Sequence, residues 1–349
     1  EEDFDDDEDD DAKWFGESEY YASVEVIQKL KNKDIKDIII FADDYDASTF
    51  QMLIENLLEN TVLTAVKVYR LQEHNNRRIR TTPEMARLFS AIRALRNLEM
   101  LDLCNMEETE LEMITSIVKR HPTLTHFKLH LTHGGVDTDF LNAMVGAPLL
   151  IDIALEVHKS FPMSILFESK ILTKLSVWSH QFKFQDDHFV AAMQILENND
   201  TLLTLDLKPR ISSLGMRALS FAVDENKGLT TLKFSYRDAQ QPGKMLLHLV
   251  HALTRNSTLR VIQNYSASQV QVSTVDETRM MELLESNMVI EQLEIFDDDD
   301  CVSFKERLLR DNKDRNTNGK GFLAGWFSSP CAMIFRCGED CGEDFEEAL

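Results

Sequence analysis

A chain of 349 residues, 43% of them hydrophobic, is long and apolar enough to bury a sizeable core. Its formal net charge of −23 argues against direct binding to nucleic acid or anionic membrane, whose phosphates it would repel. The cysteines, Cys104, Cys301, Cys331, Cys337 and Cys341, are few, odd in number and crowded toward one end, which fits a reduced intracellular protein, cytoplasmic or nuclear, better than a disulfide framework.

In chain order, the first feature is an acidic run: Glu1–Asp11 holds ten acids among eleven residues. With Asp297–Asp300 and Glu339–Glu347 it accounts for twenty acids and no Lys or Arg, leaving 40 acids against 37 bases elsewhere. The acidity therefore belongs to tails and one loop. Residues 1–17 read as a disordered, solubilising tail. No apolar run reaches the ~18 residues of a membrane-spanning helix, and no signal peptide is visible.

From Ile35 onward one phrase, L-x-x-L-x-L with Ile, Val or Phe allowed, recurs. It stands as IKDIII at Ile35, LTAVKV at Leu63, LEMLDL at Leu98, LTHFKL at Leu124 and LIDIAL at Leu150. It continues as LTKLSV at Leu172, LLTLDL at Leu202, LTTLKF at Leu229, a degraded LRVIQN at Leu259 and IEQLEI at Ile290. The mean period is about 28 residues, with steps from 22 to 35. Between the phrases lie stretches with helical spacing, at Phe50–Leu58, Met85–Leu95, Leu111–Val118, Phe189–Leu196, Met216–Val223, Met245–Leu253 and Met280–Leu284. Ser48/Gln51, Thr81/Glu84, Thr109/Glu112 and Thr274/Glu277 have capping-box spacing, and Pro83 suits a first helical position. Asn or Gly recurs where each helix should stop, as in ENTVL, ENNDTL, ENKGLT, RNSTL and SNMVI. Val157–Lys170 is too short and too broken by Pro162 for a full helix.

Short strands, each followed by a returning helix, make a parallel sheet backed by helices. One repeat cannot bury its own face, so the copies must stack into a solenoid. The phrases, the period and the helical backs resemble leucine-rich repeats of the ribonuclease-inhibitor-like class, and the resemblance covers roughly residues 18–315. It implies an α/β horseshoe, with parallel strands on the concave face and helices on the convex face. Degenerate repeats with acidic tails also resemble repeat proteins of algae such as diatoms. One departure is that the Asn or Cys expected three residues after the last Leu is replaced by Asp43, Leu71, Met106, Thr132, His158, His180, Arg210 and Arg237. The reading is three parts: a tail over 1–17, a solenoid of about ten repeats with its caps over 18–316, and an acidic Gly/Cys-containing tail over 317–349.

Alternation along a strand assigns the concave face. It carries the aromatic residues Phe41, Tyr69, His126, His130, Trp178, Tyr265 and Phe296, the lysines Lys67, Lys128, Lys174, Lys208 and Lys233, and the acids Asp37, Asp102, Asp152, Glu156, Asp206 and Glu294. Aromatics with mixed charge are the material of protein interfaces. Five lysines against six acids make a balanced groove, unlike the basic groove of a nucleic-acid reader. Trp178 is the strongest anchor, unless it packs under the loop Ser179–Asp186. Arg77, Arg78 and Arg80 form a basic loop that reads as a solvated segment, a docking patch or a seat for Glu1–Asp11.

No catalytic motif is present: G-x-S-x-G, H-E-x-x-H and the phosphate-binding loop are all missing, and His133-Gly134-Gly135 reads as a turn. Cys331, Cys337 and Cys341 lack paired metal-binding knuckles, so they read as thiols, and no cofactor is implied. Gly321–Phe327 is an apolar patch that reads as a cover for the end of the core. The expected function is a monomeric, non-catalytic scaffold that binds a protein partner on its concave face. The alternative is a regulator of an enzyme, such as a small-GTPase activator, because Ran GTPase-activating proteins resemble this architecture with acidic tails. Actin-capping proteins like tropomodulin share the repeats but also need an amphipathic actin-binding helix, which is not evident. Nucleotide turnover by a panel of small GTPases separates the regulator from the scaffold.

Overall fold

The computed structural model describes residues 23–33, 35–70, 82–179, 183–236, 242–266, 272–285, 287 and 289–295. The chain opens with α1 (Ser23–Asn32), then alternates strand and helix. In order come β1 (Asp37–Phe41), α2 (Ala47–Glu59), β2 (Ala65–Tyr69), α3 (Thr82–Ala94), β3 (Met100–Met106), α4 (Leu111–Arg120), β4 (His126–Leu131), α5 (Thr138–Val145) and β5 (Asp152–Glu156). They continue with α6 (Ser164–Phe167), β6 (Lys174–Trp178), α7 (Asp186–Leu196), β7 (Thr204–Ile211), α8 (Ser213–Glu225), β8 (Thr231–Tyr236), α9 (Pro242–Arg255), β9 (Val261–Asn264), α10 (Thr274–Leu284) and β10 (Gln292–Glu294).

The ten strands form one parallel sheet in sequence order. Every strand starts two residues after the first residue of a phrase, so all ten phrases fall where expected. Strand neighbours lie about 4.8 Å apart, whereas packed helices need about 8–10 Å. Each repeat contributes one of each, so the layers fit only if the sheet is the inner, concave surface. The result is a leucine-rich-repeat solenoid with helices on the convex side.

The repeated apolar residues of the phrase make its core. Leu101, Leu103, Leu129, Leu155, Leu175, Leu205, Leu207 and Leu232 are fully enclosed, and a single hydrophobic cluster runs from Val26 to Ile295. The backbone at the strand entrances is laddered. The N–H groups of Thr173 and Lys174 both donate to the Ile151 carbonyl, those of Leu203 and Thr204 to Thr173, and those of Thr230 and Thr231 to Leu203. The Thr that often follows the first Leu adds a hydroxyl bond to the same carbonyl, as Thr125 does to Glu99, Thr173 to Ile151 and Thr230 to Leu203.

The recurrent Asn at the helix ends does more than stop helices. Asn199, Asn226, Asn256 and Asn287 are buried, and each reaches one repeat back. Asn226 donates from Nδ2 to the carbonyls of Leu196 and Asn199, both at 2.6 Å, and its Oδ1 accepts from the N–H groups of Gly228 (3.0 Å) and Leu229 (2.7 Å). Asn256 repeats this on Val223 and Asn226, and Asn287 on Leu253 and Asn256. Asn60 and Asn199 make the same bridge earlier in the chain. Where this Asn is missing, Ser169 accepts from Ile171 and Leu172 instead.

Several expectations need correction. Helix α2 is capped by Asp46, which accepts from the N–H groups of Ser48 and Thr49, so Ser48 sits inside the helix. The capping box ahead of α4 is Glu107 with Glu110, not Thr109 with Glu112. Helix α10 is capped by Ser273, one residue before Thr274. Thr81 lies outside the described residues; Pro83 is the second residue of α3. Two helices absent from the expected set, α1 and α5, complete the backing layer. Val157–Lys170 yields the single turn α6, as its length and Pro162 require. Asn264, in the phrase read as degraded, is a buried bridge: it donates to the carbonyls of Tyr236 and Ile295 and accepts from the Tyr236 N–H.

Two strands bulge. In β3 the irregularity follows Leu103 and includes Asn105 at φ +61, whose amide donates to the Arg70 carbonyl. Arg70, buried at the end of β2, binds the carboxylates of Glu107 and Glu110, each at 3.0 Å, and so ties one repeat to the next. In β7 the register with β8 jumps between Leu207 and Arg210, leaving Lys208 and Pro209 outside the regular pairing.

Candidate functional site

Strand alternation places the remaining side chains in three columns along the concave face, with register fixed by the parallel pairing. One column near the strand starts holds His126, Asp152 and Lys174. A middle column holds Lys67, Asp102, Lys128, Ala154, Ser176, Asp206 and Lys233. The third, near the strand ends, holds Phe41, Tyr69, His130, Glu156, Trp178, Lys208 and Tyr265. Phe296, the loop residues Arg77, Arg78 and Arg80, and Cys331, Cys337 and Cys341 lie outside the described residues.

At the amino-terminal end the face is closed upon itself. The Phe41 and Tyr69 rings stack 5.2 Å apart at an interplanar angle of 9°. Lys67 is only 4% exposed and Asp102 only 3%. Their charged ends meet at 3.2 Å, while the Lys67 ammonium also lies 4.8 Å from the centre of the Tyr69 ring. Lys67, expected as a contact residue, is thus engaged inside the wall. The Cys104 thiol donates to Asp102 at 3.2 Å, and burial together with that carboxylate pushes its pKa up, which suppresses its ionisation.

The middle of the face is built differently. Trp178, the last residue of β6, is half-buried and bracketed by two ammonium groups. Lys128 on β4 lies 5.0 Å and Lys208 on β7 lies 4.6 Å from the ring centre. The β7 bulge sets Lys208 between two aromatic rings, because its ammonium is also 5.1 Å from the centre of Tyr265. The Tyr265 hydroxyl donates to Asp206 at 2.9 Å, which spans three strands. Asp206 is buried, and burial raises its pKa against the opposing pull of Tyr265, Lys233, Lys208 and Lys174. The indole Nε1 of Trp178 is enclosed and meets no acceptor among the described residues. Between Lys128 and Asp206 the middle column carries only the short side chains of Ala154 and Ser176. Larger side chains flank these two positions on the neighbouring columns. Lys174 pairs with Asp152 at 3.5 Å along one side, and Lys233 stands beyond Asp206.

His126 and His130 face the same side, as alternation requires. The His126 ring meets the Thr125 hydroxyl at 2.8 Å, and His130 lies 3.6 Å from the Glu156 carboxylate. Burial lowers both pKa values; for His130 the Glu156 carboxylate opposes the shift, while His158 and Lys128 reinforce it. His121 is lowered too, again mainly by burial. A histidine with a depressed folded pKa binds fewer protons than its unfolded form once the pH falls through about 6.5, so these groups destabilise the fold on acidification. The melting temperature is expected to fall between pH 7.5 and pH 5.5, and the triple substitution His121→Asn/His126→Asn/His130→Asn should flatten that fall. An unchanged slope in the variant would show that other groups dominate.

Gly134, at φ +86, makes the turn read from His133-Gly134-Gly135. No group of three or more His, Cys, Asp or Glu able to hold a metal ion occurs among the described residues. No helix among them is long and apolar enough to cross a membrane. The residues that alternation alone missed are structural: the Asn bridges, and Arg70 with Glu107 and Glu110.

No protein-family model matches the sequence, and no curated protein matches it. Among solved structures, the chain is similar to leiomodin-1 actin-binding site 2, at 19% identity over 39% of this chain and 78% of that one, with a TM-score of 0.33. It is similar to a protein of Bacteroides fragilis at 15% identity, covering 73% and 72% of the two chains, with a TM-score of 0.44. It is also similar to the tropomodulin C-terminal domain of Caenorhabditis elegans at 13% identity, covering 60% and 99%, with a TM-score of 0.31. Likenesses of this size carry nothing about partners, so the solenoid assignment rests on the ten-stranded parallel sheet and its backing helices.

Proposed function

We propose that the protein is a non-catalytic scaffold that binds a partner protein on its concave face, with Trp178 as the anchor. The observation that carries this reading is the convergence of Lys128 and Lys208 on the Trp178 ring, with Tyr265 alongside. A large amphipathic ring held by neighbours from two other strands has already lost much of its rotamer freedom, which lowers the ordering cost of binding. The surrounding mixed charge suits a protein surface. The repeats belong, in this reading, to the ribonuclease-inhibitor-like class, and the chain acts as a monomer inside the cell, in cytoplasm or nucleus, without nucleic acid or cofactor.

The test is affinity capture from a cell lysate with the wild type and with Trp178→Ala/Lys128→Glu, followed by titration of the captured protein. Trp178→Ala alone should leave the circular dichroism spectrum intact and weaken binding by about 30-fold, the effect of an anchor worth about 2 kcal/mol. Equal affinity for wild type and variant would remove the concave face from the function. Loss of folding in Trp178→Ala would instead make Trp178 a core residue.

A further inference from the structure

Part of the helical, convex side carries charge opposite in sign to the chain as a whole. Helix α9, PGKMLLHLVHALTR, has no acid in 14 residues, although the chain's net charge is −23. Lys244 and Arg255 are exposed on it, and His248 and His251, three positions apart, are half-buried on one side. The flanking helices add Arg217 from α8 and Arg279 from α10, both exposed. His248 is faced by Arg217, His251 and Lys244, and His251 by Arg279 and Arg255; no carboxylate among the described residues acts on either ring. The acids of these helices are placed elsewhere. Asp224 and Glu225 act on Arg255, and Asp224 accepts from its Nε at 2.7 Å. Asp276 accepts from the Ser273 hydroxyl at 2.7 Å, and Glu282 is exposed on α10. The side chains of Arg217, Lys244 and Arg279 form no ion pair or hydrogen bond among the described residues. The surface is apolar as well as basic. Arg217 falls between Leu214 and Phe221 at steps of three and four, so all three share one side of α8, and Leu214 and Phe221 are 49% and 53% exposed. We propose that this convex face of α8 and α9, with Arg217, Lys244, His248 and His251 at its centre and Leu214 and Phe221 beside them, docks a short acidic, partly apolar segment of a partner protein.

The pairs Arg217–His248 and Asp224–Arg255 both span 31 positions, so the two helices run side by side in one register and these groups form a continuous strip. Charge complementarity selects the occupant. A long polyanion, such as nucleic acid or an anionic membrane, meets the repulsion of the whole molecule, whereas a short carboxylate-bearing segment meets the local field of the strip. Leu214 and Phe221 suit aliphatic residues set among those acids. The histidines link docking to protons. Burial lowers the pKa of both rings and the neighbouring cations lower it further, so both are neutral near pH 7.5. Carboxylates placed against them favour the charged rings. Docking then takes up protons and strengthens as the pH falls toward 6.

The strip lies on the helical side of the sheet, away from Trp178, so the inference stands apart from the concave-face reading. The test titrates the full chain into a rhodamine-labelled peptide of repeated Glu-Glu-Leu, read by fluorescence anisotropy at pH 7.5 and pH 6.0. A Lys-Lys-Leu peptide is the control. The acidic peptide should bind, about threefold more tightly at pH 6.0. Arg217→Glu/Lys244→Glu should weaken it by about tenfold at both pH values. His248→Gln/His251→Gln should retain the affinity at pH 7.5 and lose the pH dependence. Melting checks the folding of each variant, and the neutral pair Arg217→Gln/Lys244→Gln, expected to act in the same direction, replaces a charge reversal that does not fold. No binding of the acidic peptide, equal binding of the basic one, or an affinity untouched by these substitutions overturns the proposal; binding that ignores pH overturns its proton linkage. Tighter binding of a labelled oligothymidylate would assign the strip to nucleic acid and overturn it too. Trp178→Ala/Lys128→Glu should bind the acidic peptide as the wild type does; a loss there would move the peptide to the concave face and overturn this inference alone.

Discussion

Replacing Asn226 by Ala is expected to lower stability by about 3–4 kcal/mol, because it leaves the buried N–H groups of Gly228 and Leu229 and the carbonyls of Leu196 and Asn199 without the side chain that serves all four. The side chain is 2% exposed, so water does not readily take its place. At about 2–4 °C per kcal/mol for a chain of this size, the melting temperature should drop by about 10 °C. Asn226→Asp is the sharper control. A carboxylate accepts as the amide does but cannot donate, and it sets a negative charge against two carbonyl oxygens. It should be at least as damaging at pH 7. The loss should begin in the repeats around α8, since solenoid stability is a sum over neighbouring interfaces. Hydrogen exchange would place it there. A variant melting within about 2 °C of the wild type would show that the Asn bridges are redundant.

The second large effect is expected of Leu205→Asp. Leu205 is wholly buried in β7, in register with Leu175 and Leu232 on the flanking strands. An unpaired carboxylate there faces apolar side chains on both sides and should cost about 5 kcal/mol or more, enough to unfold the surrounding repeats. Thr204→Asp, one residue earlier and on the concave side, should change the melting temperature by no more than about 2 °C. Circular dichroism and melting of the pair decide the matter. Equal behaviour of the two variants would reverse the inside and outside of the sheet.

Much of this architecture is written in the sequence because the solenoid repeats one local rule. The L-x-x-L-x-L phrase states strand position and inward face together, so even the degraded copy at Leu259 falls on a strand. Helix α5 was not legible as a helix because it has only eight residues, although Phe140, Leu141 and Met144 give it a buried face. The caps slipped by one or two residues because neighbouring Asp, Ser, Thr and Glu compete for the same N–H groups, and only tertiary packing selects among them. The recurrent Asn three residues before the phrase was visible as a stop signal. Its partners lie about 30 residues back, where no local pattern points. At the candidate site, alternation correctly put Trp178, Lys128, Lys208 and Tyr265 on one face. It did not distinguish the engaged Lys67 from the others, since that depends on Asp102 and Tyr69 from neighbouring positions. Nor did it anticipate the bulge at Lys208 and Pro209, which breaks the period of two on which the assignment relies.

The single-turn α6 has a consequence for the arc itself. An arch bends according to the taper of its stones, wide outside and narrow inside, and here the helices supply the width. Between β5 and β6 the stone is thin, with four helical residues where α8 supplies thirteen. A thinner outer layer calls for less bending at that joint, which β6 with Trp178 lines on the inner side. Trp178 therefore faces the hollow at a joint where the outer layer is thin.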